Sequence, residues 1–343
     1  MPKLQQETAH PNTIFRVSTP ARLHLGFLDL NGESGRKFGS IGLAIDSHHT
    51  TITIESADSL IITSLELPIS VSVDKKITDI VNRFYSTLGQ HIPNNKHGVE
   101  LSIIELIPSH AGLGSGTQLA LTIGTLLCRL HGISATTHEI AFHLGRGARS
   151  GIGISTFDIG SFIVDGGLGD SSQIPALLAH YDFPSTWKVV MIMEKNSQGV
   201  HGSDELKAFT HLPTFPLSHS QTICHLTLMK LLPALVENNI DLFGQAITEI
   251  QTLIGDHFAP AQGGRYTSAS VAQLLHYGQE HGYAGIAQSS WGPTGCIFVD
   301  GDTAAQQLVN KLSHYSKQKN ITSLSLSIAS ANSNGAKIEI SSK

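Results

Sequence analysis

The sequence predicts a two-domain α/β (α+β) protein, and three observations carry that reading. The chain has 343 residues, enough for two domains and a sizeable core. Apolar residues recur with period two in some segments and period 3.6 in others, and the two patterns alternate, as expected of sheets layered with helices. A glycine-rich turn, Pro108-Ser109-His110-Ala111-Gly112-Leu113-Gly114-Ser115-Gly116-Thr117, lies between a predicted strand and a strong predicted helix.

The elements follow in order. Ile14–Ser18 and Thr50–Glu55 read as strands, and Asn31-Gly32 between them is a hairpin-turn signal. Over 74–88, Ile77, Ile80, Val81, Phe84 and Leu88 share one helical face, and Gly89 ends it. Val99, Leu101 and Ile103 alternate as a strand leading into the glycine turn. The spacing then predicts a buried helix over 118–131, capped by Ser115 or Thr117 and stopped by Gly132. Thr136 and Glu139 have capping-box spacing for the next short helix. Residues 145–169 hold eight glycines, which places backbone close to a ligand or to other backbone. A Pro-containing connector near 181–186 sets the expected domain boundary, 1–183 and 184–343. In the second half, helices are expected over 219–238, 241–256, 268–281 and 303–317. Strands are expected over 188–193, 296–299, 323–328 and 336–340, with a second glycine turn at 289–295.

Composition excludes several classes. Hydrophobic residues make up 40%, charged residues 14%, and there are 33 glycines, a profile of a compact, loop-rich enzyme and not of a disordered chain. The net charge of −5 and the lack of a basic cluster with interleaved aromatics argue against nucleic acid. Cys128, Cys224 and Cys296 show no CxxC spacing and read as reduced thiols. Residues 1–13 lack a signal-peptide core, and no apolar run reaches membrane-spanning length, so a cytoplasmic protein is expected. The 19 histidines form no HExxH and read as scattered.

The glycine turn carries the first functional signal. Glycines at 112, 114 and 116 remove Cβ atoms where backbone enters a helix N-terminus. Exposed N–H groups and the helix dipole there favour an anion, so a phosphate-bearing small molecule is the expected ligand.

The segment from Pro108 to Gly116 resembles the phosphate motif of the GHMP kinase superfamily, with Gly116 in place of that motif's second serine. Pro20-Ala21-Arg22 is similar to the superfamily's first motif, and Trp291-Gly292-Pro293-Thr294-Gly295 to its third. Arg22-Leu23-His24-Leu25-Gly26-Phe27-Leu28-Asp29-Leu30-Asn31-Gly32, Gly145–Gly153 and Phe162–Gly167 resemble the signature of the β-ribofuranosylaminobenzene 5′-phosphate synthases, a non-kinase branch of that superfamily. The resemblance implies a GHMP-kinase-like fold, with a ribosomal-protein-like first domain and a ferredoxin-like second one. It implies condensation of phosphoribosyl pyrophosphate with 4-aminobenzoate or 4-hydroxybenzoate, loss of carbon dioxide and pyrophosphate, a role in tetrahydromethanopterin biosynthesis, Mg²⁺, and a homodimer.

That chemistry needs anion clamps and no protein nucleophile. Gly112, Gly114, Ser115, Gly116 and Thr117 are then expected to cradle phosphate, and Arg22, Arg146 and Arg149 to clamp it. Arg22 and Asp29 are the expected catalytic pair, and Asp29 the candidate Mg²⁺ ligand. Asp29 in its other reading only supports the Asn31-Gly32 turn. His24 and His110 are candidate donors to phosphate or the aryl carboxylate. Asp158, Asp165 and His201 are weaker candidates. Two rivals stand beside the synthase: an ATP-dependent small-molecule kinase, and a non-catalytic binder of a phosphate ligand. Against the kinase, no Asp follows Ser150-Gly151 closely.

Overall fold

A computed structural model describes residues 13–65, 68–195 and 212–342. Its first sheet is built on one long hairpin. Strands β1 (Thr13–Asp29) and β2 (Arg36–Ser56) pair antiparallel across the Asn31-Gly32 turn that the sequence signals. The lower part of β2 also pairs with β4 (Val99–Glu105), which takes β3 (Ile61–Ser64) on its far side. Its upper part pairs with β5 (Phe162–Asp165) and briefly with β6 (Leu168–Gly169), and β5 carries β7 (Leu177–Tyr181). Strand β12 (Lys337–Ser342) pairs with the start of β1 and makes this sheet eight-stranded. The strand expected over 336–340 with the second half therefore belongs to the first sheet.

Helices α1 (Val71–Tyr85) and α2 (Ser115–Leu130) cover one face, their apolar sides meeting Ile52, Ile54, Leu101 and Ile103 in one core. α3 (Thr137–His143) starts with the expected Thr136–Glu139 capping box, and α4 (Ile152–Asp158) follows the glycine-rich segment. In the second half, β8 (Trp187–Glu194), β9 (Ile286–Gln288), β10 (Thr294–Asp300) and β11 (Leu324–Ala329) form an antiparallel sheet in the order β11-β8-β10-β9.

The helix expected over 219–238 is interrupted. α5 (Leu217–Leu226) passes through a π-helical turn at 227–231 into α6 (Leu232–Val236). Pro233 has no N–H to give the helical ladder, and the widened turn accommodates the gap. α7 (Ile240–Gln262) is capped by Asn239, whose side chain accepts from Leu242 N. α8 (Ala269–Glu280) and α9 (Asp302–Gln318) back the second sheet. A shared core joins the two halves: Phe162 of β5 packs on Phe183 and Phe243, and these on Trp187 and Phe298. No described helix is long and apolar enough to cross a membrane.

The pairing of β1 changes at Pro20. Before it, β1 lies between β2 and β12; the partnership with β12 ends at Ser18. Register with β2 slips between Pro20 and Ala21, where proline has no N–H to pair. Beyond that point the outer edge of β1 is open to other chain segments, and the candidate site is built there.

Candidate anion site

Two loops fill the open edge of β1. Arg22 N–H donates to Leu113 O (3.1 Å) and His24 N–H to Ser289 Oγ (3.0 Å). The Ser289 hydroxyl in turn donates to Gly112 O (2.7 Å), the Thr294 hydroxyl to Ala111 O (2.7 Å), and Ser290 N–H to His24 O (3.0 Å). The three motifs, spread over 270 residues of sequence, thus form one hydrogen-bonded unit. Gly112 and Gly292 meet backbone to backbone: a Cβ on Gly112 would lie 2.2 Å from Ser289 O, and one on Gly292 would lie 2.3 Å from Gly112 N.

The helix start is shaped for an anion. Gly114 is the N-cap of α2 in the left-handed region (φ +84°), with no side chain closing the end. The capping expected of Ser115 or Thr117 is not made. Thr117 instead packs its methyl against Gly153. Thr117 and Gln118 N–H groups turn back to Gly114 O, while those of Ser115 and Gly116 meet no partner among the described residues. A helix end left so, with its dipole positive, favours negative charge.

Cations converge on it. Arg22 packs its side chain against Gly114, where an added Cβ would meet its Cγ at 3.0 Å, and donates through Nη1 to Gly112 O. Arg146 brings its guanidinium 3.5 Å from where a Cβ on Gly116 would lie. Its Nε is buried without a hydrogen-bond partner among the described residues, and burial, then the charge of Arg83, disfavours its cation. Arg149 lies within electrostatic reach of His24. His24 is 4% exposed, and burial, with Arg22 and Arg149 beside it, pushes its imidazole down to about 3, so the ring is neutral at physiological pH. His110, in the left-handed region (φ +61°), stands at the rim, its Nε2 3.4 Å from Lys76 Nζ. The structure therefore brings Arg22 and Arg146 to the glycine turn, with His24 beside Arg22 and Arg149 within electrostatic reach of His24.

The carboxylates are not part of this cluster. Asp29 sits seven residues beyond Arg22, roughly 20 Å along an extended strand. Its Oδ1 accepts from Asn31 N, Gly32 N and Ser220 Oγ (2.8, 3.0 and 2.8 Å), and its Oδ2 from Ser34 Oγ (3.0 Å). The expected pairing with Arg22 is corrected: Asp29 fastens the hairpin turn to α5. Burial raises the Asp29 pKa, but the donors from Gly32, Ser220, Ser34 and Asn31 outweigh it and hold the carboxyl below 3.8. Asp158 accepts from Thr137 Oγ1 and ties α4 to α3. Asp165 is fully buried, accepts from Gly151 N (2.9 Å) and Gly167 N (2.8 Å), and is pushed by burial up to about 6. His201 lies outside the described residues. Among the described residues no group of three or more His, Cys, Asp or Glu could hold a metal. The side chains converging on the turn are cationic or neutral, so they do not fit a protein-held Mg²⁺.

Asp29→Ala is expected to cost about 2 kcal/mol of stability at pH 7, from lost charge-assisted hydrogen bonds. The folded pKa is depressed, so the contribution is present above about 3.8 and is lost as pH falls through the folded value. Urea midpoints of wild type and variant should differ at pH 7 and converge in acid, with turnover at pH 7 within about threefold.

Sequence reasoning missed the residues that hold the unit together. Gln118 is fully buried, accepts from Thr19 Oγ1 (2.6 Å) and donates to Gly153 O (2.8 Å), locking β1, α2 and α4. A lone amide on an otherwise apolar helix face was its available signal. Ser289 and Thr294 carried none, since their partners lie about 180 residues away.

The fold and this glycine-lined anion site define a class. Residues 76–166 match the family model for the N-terminal domain of GHMP kinases, and 231–318 that for the C-terminal domain. Among solved structures, homoserine kinase from Cytophaga hutchinsonii superimposes with TM-score 0.63 at 16% identity, covering 98% of this chain and all of that one. Mevalonate diphosphate decarboxylase from Staphylococcus aureus does so with TM-score 0.66 at 14% identity, covering 95% and 98%. These likenesses establish the fold. Beta-ribofuranosylphenol 5′-phosphate synthase of Methanocaldococcus jannaschii is 34% identical over 312 residues, 83% of this chain and 89% of that protein. The synthase of the same name from Archaeoglobus fulgidus is 31% identical over 341 residues, 95% of this chain and all of that protein. The chain belongs to the beta-ribofuranosylphenol 5′-phosphate synthase family, a branch of the GHMP superfamily.

Proposed function

We propose that this protein joins phosphoribosyl pyrophosphate to a para-substituted benzoate, releasing carbon dioxide and pyrophosphate, on the way to tetrahydromethanopterin. The observation that supports it best is the pair of arginines, Arg22 and Arg146, at a helix N-terminus whose first N–H groups meet no partner among the described residues. The name of the relatives specifies a phenol product, which favours 4-hydroxybenzoate over 4-aminobenzoate as the acceptor.

The chemistry divides into three bond changes. The anomeric C–O bond breaks and its electron pair leaves with pyrophosphate. The ring carbon that bears the carboxylate gives a π pair to the anomeric carbon, forming the C–C bond. The C–CO₂ bond then breaks and its pair restores the aromatic ring. Arg22 and Arg146, with the Ser115 and Gly116 N–H groups, take up the charge that grows on the leaving group. Neutral His24 adds no cation that would oppose the oxocarbenium-like carbon. We assign no step to Mg²⁺ and no protein ligand to it. The same reading includes a homodimer working in the cytoplasm.

Purified protein incubated with phosphoribosyl pyrophosphate, Mg²⁺ and carboxyl-labelled 4-hydroxybenzoate is expected to release labelled carbon dioxide only when all are present. No release with either the hydroxy or the amino acid would overturn the synthase reading, and ATP consumption with small alcohols would support the kinase instead.

A further inference from the structure

The segment between α3 and α4 carries Arg146 to the anion site, and it is tied down at both ends. At the near end Arg146 N–H donates to Ala141 O of α3 at 2.7 Å. At the far end Gly151 N–H donates to Asp165 Oδ2 at 2.9 Å, and Ser150 Oγ donates to the same oxygen at 3.4 Å. Gly167 N–H donates to the other oxygen, Oδ1, at 2.8 Å. Asp165 therefore bridges the arginine segment and the turn that follows β5.

That turn is fixed to the sheet that also holds Arg22. Asp165 pairs with Ser40 of β2, and β2 pairs with β1, where Ala44 lies opposite Arg22. Arg36 of β2 secures the turn as well, donating to Gly166 O and Gly167 O at 2.8 Å each. Arg22 thus stands on the sheet directly, and Arg146 is referred to it through one carboxylate. One guanidinium lies beside Gly114 and the other beside Gly116. An anion gripped by both needs their separation held to about 0.5 Å.

A carboxylate is a costly group for this place. Asp165 is fully buried, and the groups that donate to it are neutral. Such burial disfavours the charge and pushes the carboxyl up to about 6. What the charge supplies is acceptors. A backbone N–H faces each oxygen, and an N–H only donates. An amide in this place would set its own NH₂ against one of them, so only the carboxylate satisfies both and joins segment to sheet.

We propose that Asp165 is a positioning residue, whose buried carboxylate fixes the segment 146–151 to the central sheet and so sets where Arg146 meets the anion at the start of α2. The proposal rests on the anion site of the synthase reading above. Asp165 touches no substrate in it and acts through the arginine alone.

The test is calorimetric titration with inorganic pyrophosphate at about pH 8, where the Asp165 carboxyl is ionised. Wild type, Asp165→Asn, Arg146→Ala and the double variant are compared. Each single substitution is expected to weaken binding about tenfold, and the double variant to bind within about threefold of Arg146→Ala, because an arginine out of place and an arginine removed are the same loss. Urea midpoints read stability separately, and Asp165→Asn should lower them equally in both backgrounds. The proposal is overturned if Asp165→Asn or Arg146→Ala binds pyrophosphate as wild type does, if the two losses multiply, or if wild type shows no saturable binding. If Asp165→Asn does not fold, Ser150→Ala takes its place in the same cycle, expected to weaken binding about threefold with Arg146 present and not at all without it. No loss, or an equal loss in both backgrounds, overturns the proposal there too. Carbon dioxide release is scored separately. A protein that shows the cycle but releases none keeps the positioning role and loses the synthase reading, and active protein whose losses multiply does the reverse.

Discussion

Arg22→Ala is expected to lower kcat/KM for carbon dioxide release by about 10³-fold, the loss of roughly 4 kcal/mol of transition-state stabilisation. Arg22 makes two kinds of contact. Its main-chain N–H belongs to the fold through Leu113 O, and that bond survives the substitution. Its guanidinium reaches Gly112 O and lies against Gly114 at the start of α2. Removing it should therefore leave the urea midpoint almost unchanged. Arg22→Lys should recover little, because an ammonium cannot span a carbonyl and a phosphate oxygen with one planar fork. Steady-state assays beside urea melts read both halves of the prediction. Activity within tenfold of wild type in a folded Arg22→Ala would take this residue out of the mechanism.

Gly112→Ala should damage both stability and activity severely. A Cβ there would stand 2.2 Å from Ser289 O and 3.0 Å from the Gly292 Cα, and both neighbours are backbone that cannot rotate aside. The position also has φ +79°, which costs an L-residue on its own. The two loops must separate, breaking the Ser289 and Thr294 bonds that join them. We expect a stability loss of about 3 kcal/mol and activity below about 1% of wild type. Gly116→Ala is the control: the nearest atom to its Cβ is Arg146 Nη1 at 3.5 Å, a side-chain end in ordinary contact. It should fold as wild type does and lose activity mainly through a raised KM for phosphoribosyl pyrophosphate. Equal damage from both substitutions would show that the close packing of Gly112 on Gly292 is not what holds the site.

Local physics was legible in the sequence. The Asn31-Gly32 hairpin, the Thr136–Glu139 capping box, the Gly132 stop and the amphipathic α1 depend on neighbours within one or two turns, and all are present. The glycine turn and Arg22 were readable for a related reason: a backbone cradle needs glycine, and an anion needs a guanidinium. What could not be read depends on distance. Asp29 is expected in the site because the family signature and the need for a metal ligand coincide there, yet an extended strand separates it from Arg22 and a turn uses the carboxylate. Counting strands in order puts the one expected over 336–340 in the second half, whereas the strand found there pairs with β1. Gln118 and Ser289 acquire meaning only when remote segments meet.

The placement of β12 bears on how the molecule is made. Thr13 pairs with Ser342, so the first sheet is completed by residues more than three hundred positions downstream. A nascent chain that has emerged through β7 has every other strand of that sheet, but β1 still presents unpaired N–H and C=O groups along residues 13–18. The edge stays open while the entire second half is synthesised, and closing so distant a contact carries a large loop-entropy cost. During that interval the half-built sheet can add a strand from another chain. Late closure by β12 makes the ribosome-bound intermediate, more than the finished protein, the species most prone to aggregate.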